Sequence, residues 1–136
     1  MSVSLTWREG EHRSVDAKAI RAVLAEVAAA SSTPVIVVLE IEDAAMHVVV
    51  GDVSGTVLDY FPPGYAATGT GSLHTVGDRA AASADASEPA LTAYYLGHHT
   101  EFPRWSLISH ELGQRAIAQF CERPTAPPDV VEWELD

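Results

Sequence analysis

Residues 35–42, with the sequence Val-Ile-Val-Val-Leu-Glu-Ile-Glu, constrain the fold more than any other stretch. The run is rich in β-branched residues, opens directly after Pro34 and is too short for a typical helix, so it predicts a strand. Side chains alternate along a strand, which places Val35, Val37, Leu39 and Ile41 on one wholly apolar face. The opposite face begins with Ile36 and Val38 and turns acidic at Glu40 and Glu42. Its far end must therefore meet solvent or a cationic partner.

The neighbouring segments supply the rest of a sheet. Turns at 43–45 and 51–55 lead into strands at 46–50 and 56–61, an antiparallel meander. Upstream, Val3, Leu5 and Trp7 alternate with Ser4, Thr6 and Arg8, and Glu9-Gly10 turns the chain into a short second strand at 11–15. Asp16 then caps a helix whose Ile20, Val23, Leu24 and Val27 form a core-facing stripe ended by Pro34. From 62 to 90 the composition shifts to Gly, Ala, Ser, Thr and Pro, which reads as a flexible loop interrupted by one short strand at 73–76. Residues 91–96 alternate with apolar side chains on both faces and read as an inner strand. Gly97 then releases the backbone into a polar loop, His98-His99-Thr100-Glu101-Phe102, closed by Pro103. Residues 105–108 re-enter as an edge segment, and Ser109 caps a second helix with Leu112, Ala116, Ile117 and Phe120 on one stripe. Residues 130–135 close the chain as a strand with Val131, Trp133 and Leu135 on one side and Glu132 and Glu134 on the other. Trp7 and Trp133 suggest that the first and last strands close the same sheet. The sum is one α+β domain over residues 1–136: a mainly antiparallel sheet of about six strands with two packed helices.

Charge narrows the function. Eight basic against nineteen acidic residues give a formal net charge of -11, which opposes binding to nucleic acid or an anionic membrane and favours a basic partner. Cys121 is the single cysteine; no internal disulfide can form, and its place beside Phe120 on a helix reads as buried packing. No basic segment followed by an apolar one marks a leader, and the longest aliphatic run falls far short of the roughly 20 residues that span a bilayer. A cytoplasmic protein is expected.

Reaction chemistry finds little support in the motifs. His98, His99, Glu101, His110 and Glu111 are the right residue types for zinc, yet there is no His-Glu-x-x-His, and adjacent histidines on extended chain point apart. No Gly-x-Ser-x-Gly elbow occurs, and Gly69-Thr70-Gly71-Ser72 lacks the lysine of a phosphate loop. No catalytic residue, metal ligand or cofactor site is assigned. The alternative, a small metal-dependent hydrolase, would use His98, His99, Glu101 and His110. What stands out instead is a surface suited to protein contact: acidic strand ends, and aromatic residues near the exit at Pro103.

Three segments taken in order carry a resemblance: Val3-Ser4-Leu5-Thr6-Trp7-Arg8-Glu9-Gly10, then Tyr94-Tyr95-Leu96-Gly97-His98 with Thr100-Glu101-Phe102-Pro103, and finally Glu122-Arg123-Pro124 with Val131-Glu132-Trp133-Glu134. Together they resemble the first-numbered family of bacterial immunity proteins, which accompany polymorphic toxins. The resemblance runs nearly the whole chain and departs at Ala126-Pro127-Pro128-Asp129 and in an alanine-rich stretch at 79–88. It implies a non-catalytic antitoxin that binds one cognate toxin domain, often a nucleic-acid deaminase or nuclease, and occludes it. Partner-binding residues expected from charge and exposure are Glu40, Glu42, Asp59, Glu101, Phe102 and Trp105. Whether the chain is a monomer or a homodimer stays open.

Overall fold

The fold, a computed structural model, describes residues 2–8, 11–77, 91–95 and 98–136; of Arg8 and His98 it describes the backbone alone. Its strands are β1 (Ser2–Arg8), β2 (Glu11–Asp16), β3 (Val35–Ile41), β4 (Ala44–Val50), β5 (Leu58–Phe61), β6 (Leu73–Val76), β7 (Leu91–Tyr95), β8 (His98–Phe102) and β9 (Glu132–Leu135). The helices are α1 (Ile20–Ala30), a single turn α2 (Tyr65–Thr68) and α3 (His110–Glu122). The class is α+β, as expected. The described strands number nine, not about six.

The sheet runs β2-β1-β3-β4-β5-β6-β9, and β7 and β8 branch from it at β3. β4 pairs antiparallel with the whole of β3. The other edge of β3 is shared: β1 takes residues 38–40, while β7 meets it in parallel at the single register Val35–Tyr94. The β7–β8 hairpin then folds across the sheet, so β3 is covered on both sides. Val35, Val37, Leu39 and Ile41 pack with Val3, Leu5 and Trp7 against α1 and α3. Ile36, Val38 and Val49 pack under Leu91, Ala93 and Phe102 of the hairpin. Glu40 alone on β3 is exposed.

Two expectations are corrected here. Residues 98–102 are a strand rather than a polar loop: β8 pairs with β7 over five registers, from Leu91–Phe102 to Tyr95–His98. Its sequence hides this because His99, Thr100 and Glu101 are exposed and Phe102 is the residue it buries; backbone pairing, not apolar alternation, defines it. β7 does lie between two strands, β3 and β8, but it is not covered on both faces, since its outward face carries Thr92 and a 42% exposed Tyr94. β2 does fall where a short second strand was expected at 11–15, although it is exposed at every position but Val15.

The segment read as a flexible loop contains α2 and β6 in its first part; residues 78–90 lie outside those described. The caps fall near their expected places. The Asp16 carboxylate accepts from the Lys18 backbone N–H at 3.0 Å and opens a 3-10 turn leading into α1. The Ser109 hydroxyl accepts from the Leu112 N–H at 3.1 Å at the start of α3. Cys121 is buried on that helix. Trp7 and Trp133 do lie in one sheet, with β9 at its edge.

Residues 105–108, expected to re-enter as an edge segment, form a strap instead. A 3-10 turn at Arg104–Ser106 is followed by a lone bridge between Ile108 and Thr56, with both hydrogen bonds at 2.9 Å. The Gly77 N–H donates to the Trp105 carbonyl at 2.7 Å, and the Thr75 hydroxyl donates to the Ser106 carbonyl at 2.9 Å. The strap lies so close to β6 that a Cβ on Gly77 would sit 1.7 Å from the Leu107 carbonyl oxygen. Backbone cannot yield as a side-chain tip can, so Gly77→Ala is expected to destabilise the fold by about 3 kcal/mol. Chemical denaturation of the two proteins measures it, and an unchanged midpoint would show that the strap does not seat this tightly.

Candidate functional site

Strand alternation and register place one row of polar side chains across the sheet, on the face opposite α1 and α3. His47 of β4 stands beside Asp59 of β5, Asp59 beside His74 of β6, and His74 beside Glu134 of β9. Leu58 and Tyr60 of β5 point the other way into the main core, which forces Asp59 and Phe61 onto this face. The Tyr60 hydroxyl donates to the Pro124 carbonyl at 2.9 Å, fixing that orientation. The strap brings Trp105 over the row, its ring 5.5 Å from that of His74.

The result is a cleft of about 490 Å³ lined by Asp59, His74, Thr100, Glu101, Phe102, Pro103, Trp105, Ser106, Glu134 and Asp136. Four of the lining residues are acidic, and none is Lys or Arg. Strand β9 is held in register by its ladder to β6 and by the Asp136 N–H donating to the Ser72 carbonyl at 3.1 Å. His74 bridges the carboxylates: its Nδ1 lies 2.5 Å from Asp136 Oδ1, and its Nε2 lies 3.9 Å from Glu134 Oε2.

Asp59 is the unusual member. Its Oδ1 is buried with no hydrogen-bond partner. Burial, then the nearby Asp136 charge, push its carboxyl up to about 7, with His74 opposing. Farther along the face, the half-buried His47 ring sits 4.4 Å from Phe61 and 6.3 Å from Tyr95. Burial lowers the His47 pKa to about 4, so this imidazole is neutral at pH 7. The Tyr95 hydroxyl is raised by burial and secondarily by the charge of Glu40.

Of the six partner-binding residues expected from sequence, Asp59, Glu101, Phe102 and Trp105 line this one cleft. Glu40 and Glu42 do not; they stand toward the β3–β4 turn, where Glu42 adopts a left-handed backbone at φ 55°. His74, Glu134 and Asp136 were absent from the expected set. Glu134 carried a signal, being on the acidic side of the last strand; His74 carried none, because its importance comes from pairing with strands that are distant in sequence. A larger hollow of about 580 Å³ between α1 and α3 contains none of the six.

Of the residues of the hydrolase alternative, the described His99, Glu101 and His110 are not assembled as a ligand set. Among the described residues no group of three or more His, Cys, Asp or Glu side chains is placed to hold a metal ion. His110 starts α3, and its Nε2 lies 2.9 Å from the Asp52 carbonyl, while His99 is on β8 with its ring 6.2 Å from Tyr94. The His98 side chain lies outside the described residues. No described helix is long and apolar enough to cross a membrane.

With this geometry in hand, the comparisons agree with the resemblance in the sequence. The family model described as Immunity protein Imm1 matches residues 10–135, nearly the whole chain. The protein belongs to this family of immunity proteins. No curated protein matches the sequence.

The cleft has a stability signature. A carboxyl that titrates near 7 when folded and near 3.8 when unfolded binds its proton more tightly in the native state. Its stabilising effect is complete below the unfolded value and is lost as pH rises through about 7. The Asp59→Asn protein is therefore expected to gain on the wild type by on the order of 2–4 kcal/mol between pH 4 and pH 8. Urea unfolding at the two pH values reads this difference, and parallel curves for the two proteins would refute an elevated Asp59.

Proposed function

We propose that the chain is an antitoxin that neutralises a cognate secreted toxin domain by binding it stoichiometrically and occluding it, without catalysis of its own. The observation that carries the reading is the acidic cleft, with its aromatic wall at Trp105, in a chain that belongs to an immunity-protein family. A toxin acting on nucleic acid, such as a deaminase or nuclease, needs a basic surface to meet phosphate. An inhibitor of net charge -11 would be steered to such a surface, and carboxylates would occupy the place of phosphates. Asp59, Glu101, Phe102 and Trp105 are the proposed central contacts. Glu40 and Glu42 are proposed to contribute through charge at the periphery. The protein would act in the cytoplasm, where the toxin would otherwise reach its target.

Co-expression with the product of the adjacent gene, followed by pull-down and titration, tests this. The expected outcome is rescue of growth and a 1:1 complex of nanomolar affinity, equivalent to about 12 kcal/mol. Glu101→Lys at the cleft should weaken the complex at least tenfold, with a smaller effect for Glu40→Lys, and added salt should slow association. Absence of both rescue and binding would remove the antitoxin reading for that neighbour.

A further inference from the structure

The cleft does not end at Asp59. On β5, Phe61 lies two residues on and shares its face, and beyond it the sheet carries a half-buried aromatic strip that the β7–β8 hairpin leaves partly open. The Phe61 ring lies 4.8 Å from Tyr65 and 4.4 Å from His47, and His47 in turn lies 6.3 Å from Tyr95. Glu40 is exposed and close enough to Tyr95 to perturb its hydroxyl. Aromatic rings flanked by carboxylates are the surroundings that a guanidinium favours, since it stacks on the rings and pairs bidentately with the acids. An ammonium of equal charge does the second less well and the first weakly.

We infer that the sheet face from Glu40 past Tyr95, His47 and Phe61 to Asp59 and Asp136 is one continuous docking surface, and that its occupant is an arginine-rich segment of a partner protein. The inference rests on the antitoxin reading for its biological setting but not for its physical content. Charge complementarity selects the occupant: the face presents Glu40 from β3, Asp59 from β5, Glu134 and Asp136 at β9 and Glu101 from β8. The imidazoles facing Asp59 are His47 from β4, neutral near pH 7, and His74 from β6, already engaged by Asp136. The unpaired Asp59 oxygen gives the surface a proton-linked element. A guanidinium seated beside Asp59 favours its ionised form, so filling the site releases a proton and binding tightens as pH rises from 6 to 8.

The test titrates the full chain with acetyl-tetra-arginine amide, and separately with acetyl-tetra-lysine amide, and follows backbone and Trp indole resonances by NMR. The expected result is localised shifts at Trp105, Phe61 and Tyr95, with affinity at least fivefold higher for the arginine peptide. A several-fold tightening between pH 6 and 8 should disappear in Asp59→Asn. Tyr65→Phe, which keeps the half-buried ring against Phe61, should leave arginine-peptide binding within about twofold of wild type, whereas Tyr65→Ala, with its fold checked by the dispersion of its backbone resonances, should weaken that binding about tenfold. Equal binding of both peptides with diffuse shifts, or a pH step that survives in Asp59→Asn, would overturn the inference. Localised arginine binding by a chain that fails to neutralise the adjacent gene's product would keep the docking surface and remove the antitoxin reading. Neutralisation that is unaffected by Tyr65→Ala and Asp59→Asn would do the reverse.

Discussion

Burial of β3 on both faces is the constraint on which the rest of the structure depends. Val37 and Leu39 are fully buried on one side, and Ile36 and Val38 are nearly so on the other. Each such side chain stabilises the fold by about 1.5–3 kcal/mol when removed from water. An antiparallel strand at the middle of a sheet commonly has one wet face. This one needs a second cover, and the β7–β8 hairpin supplies it. The hairpin reaches only as far as Val38 and Val49, so Glu40 and His47 remain at its margin. The limit of that cover therefore determines where the open part of the sheet begins.

The cleft follows from a second constraint, the strap at residues 105–108. Its polar backbone groups cannot be buried unpaired without a penalty of about 1–3 kcal/mol each. They are met by Thr75 of β6, by Gly77 just after it and by Thr56 in the segment before β5. Pinning the strap to those residues leaves Trp105 beside His74 and above the acidic row. The shape of the cleft is thus a by-product of satisfying backbone hydrogen bonds.

Electrostatics separates what attracts a partner from what holds it. A net charge of -11 acts at a distance and is screened over roughly 10 Å in physiological salt. The aromatic rings and the partly buried carboxylates act at contact, where desolvation makes each pairing worth more. Asp59 sits at the junction. Keeping a carboxyl oxygen buried and unpaired costs stability, which is the kind of local conflict that binding surfaces retain and packing cores eliminate.

Much of this fold was legible from the sequence. The strand at 35–41, the meander after it, the stripes of α1 and α3, the Ser109 cap and the family resemblance depend on period, local chemistry and motif order, which are properties of neighbouring residues. The exposed β8 escaped reading as a strand, because a strand held by backbone pairing to a partner shows little apolar alternation. The expected contacts Asp59, Glu101, Phe102 and Trp105 were chosen for charge and exposure, yet nothing in their spacing said that they share one cleft. Nor could spacing bring His74, Glu134 and Asp136 to them, or leave Glu40 and Glu42 outside. That assembly is decided by cross-strand register, in which a shift of one residue would turn every side chain to the opposite face. Neighbouring residues set most of the elements, the sign of the charge and the family resemblance; the pairing of β5, β6 and β9 beneath the strap decided the site, because it joins residues as distant in the chain as Asp59 and Asp136.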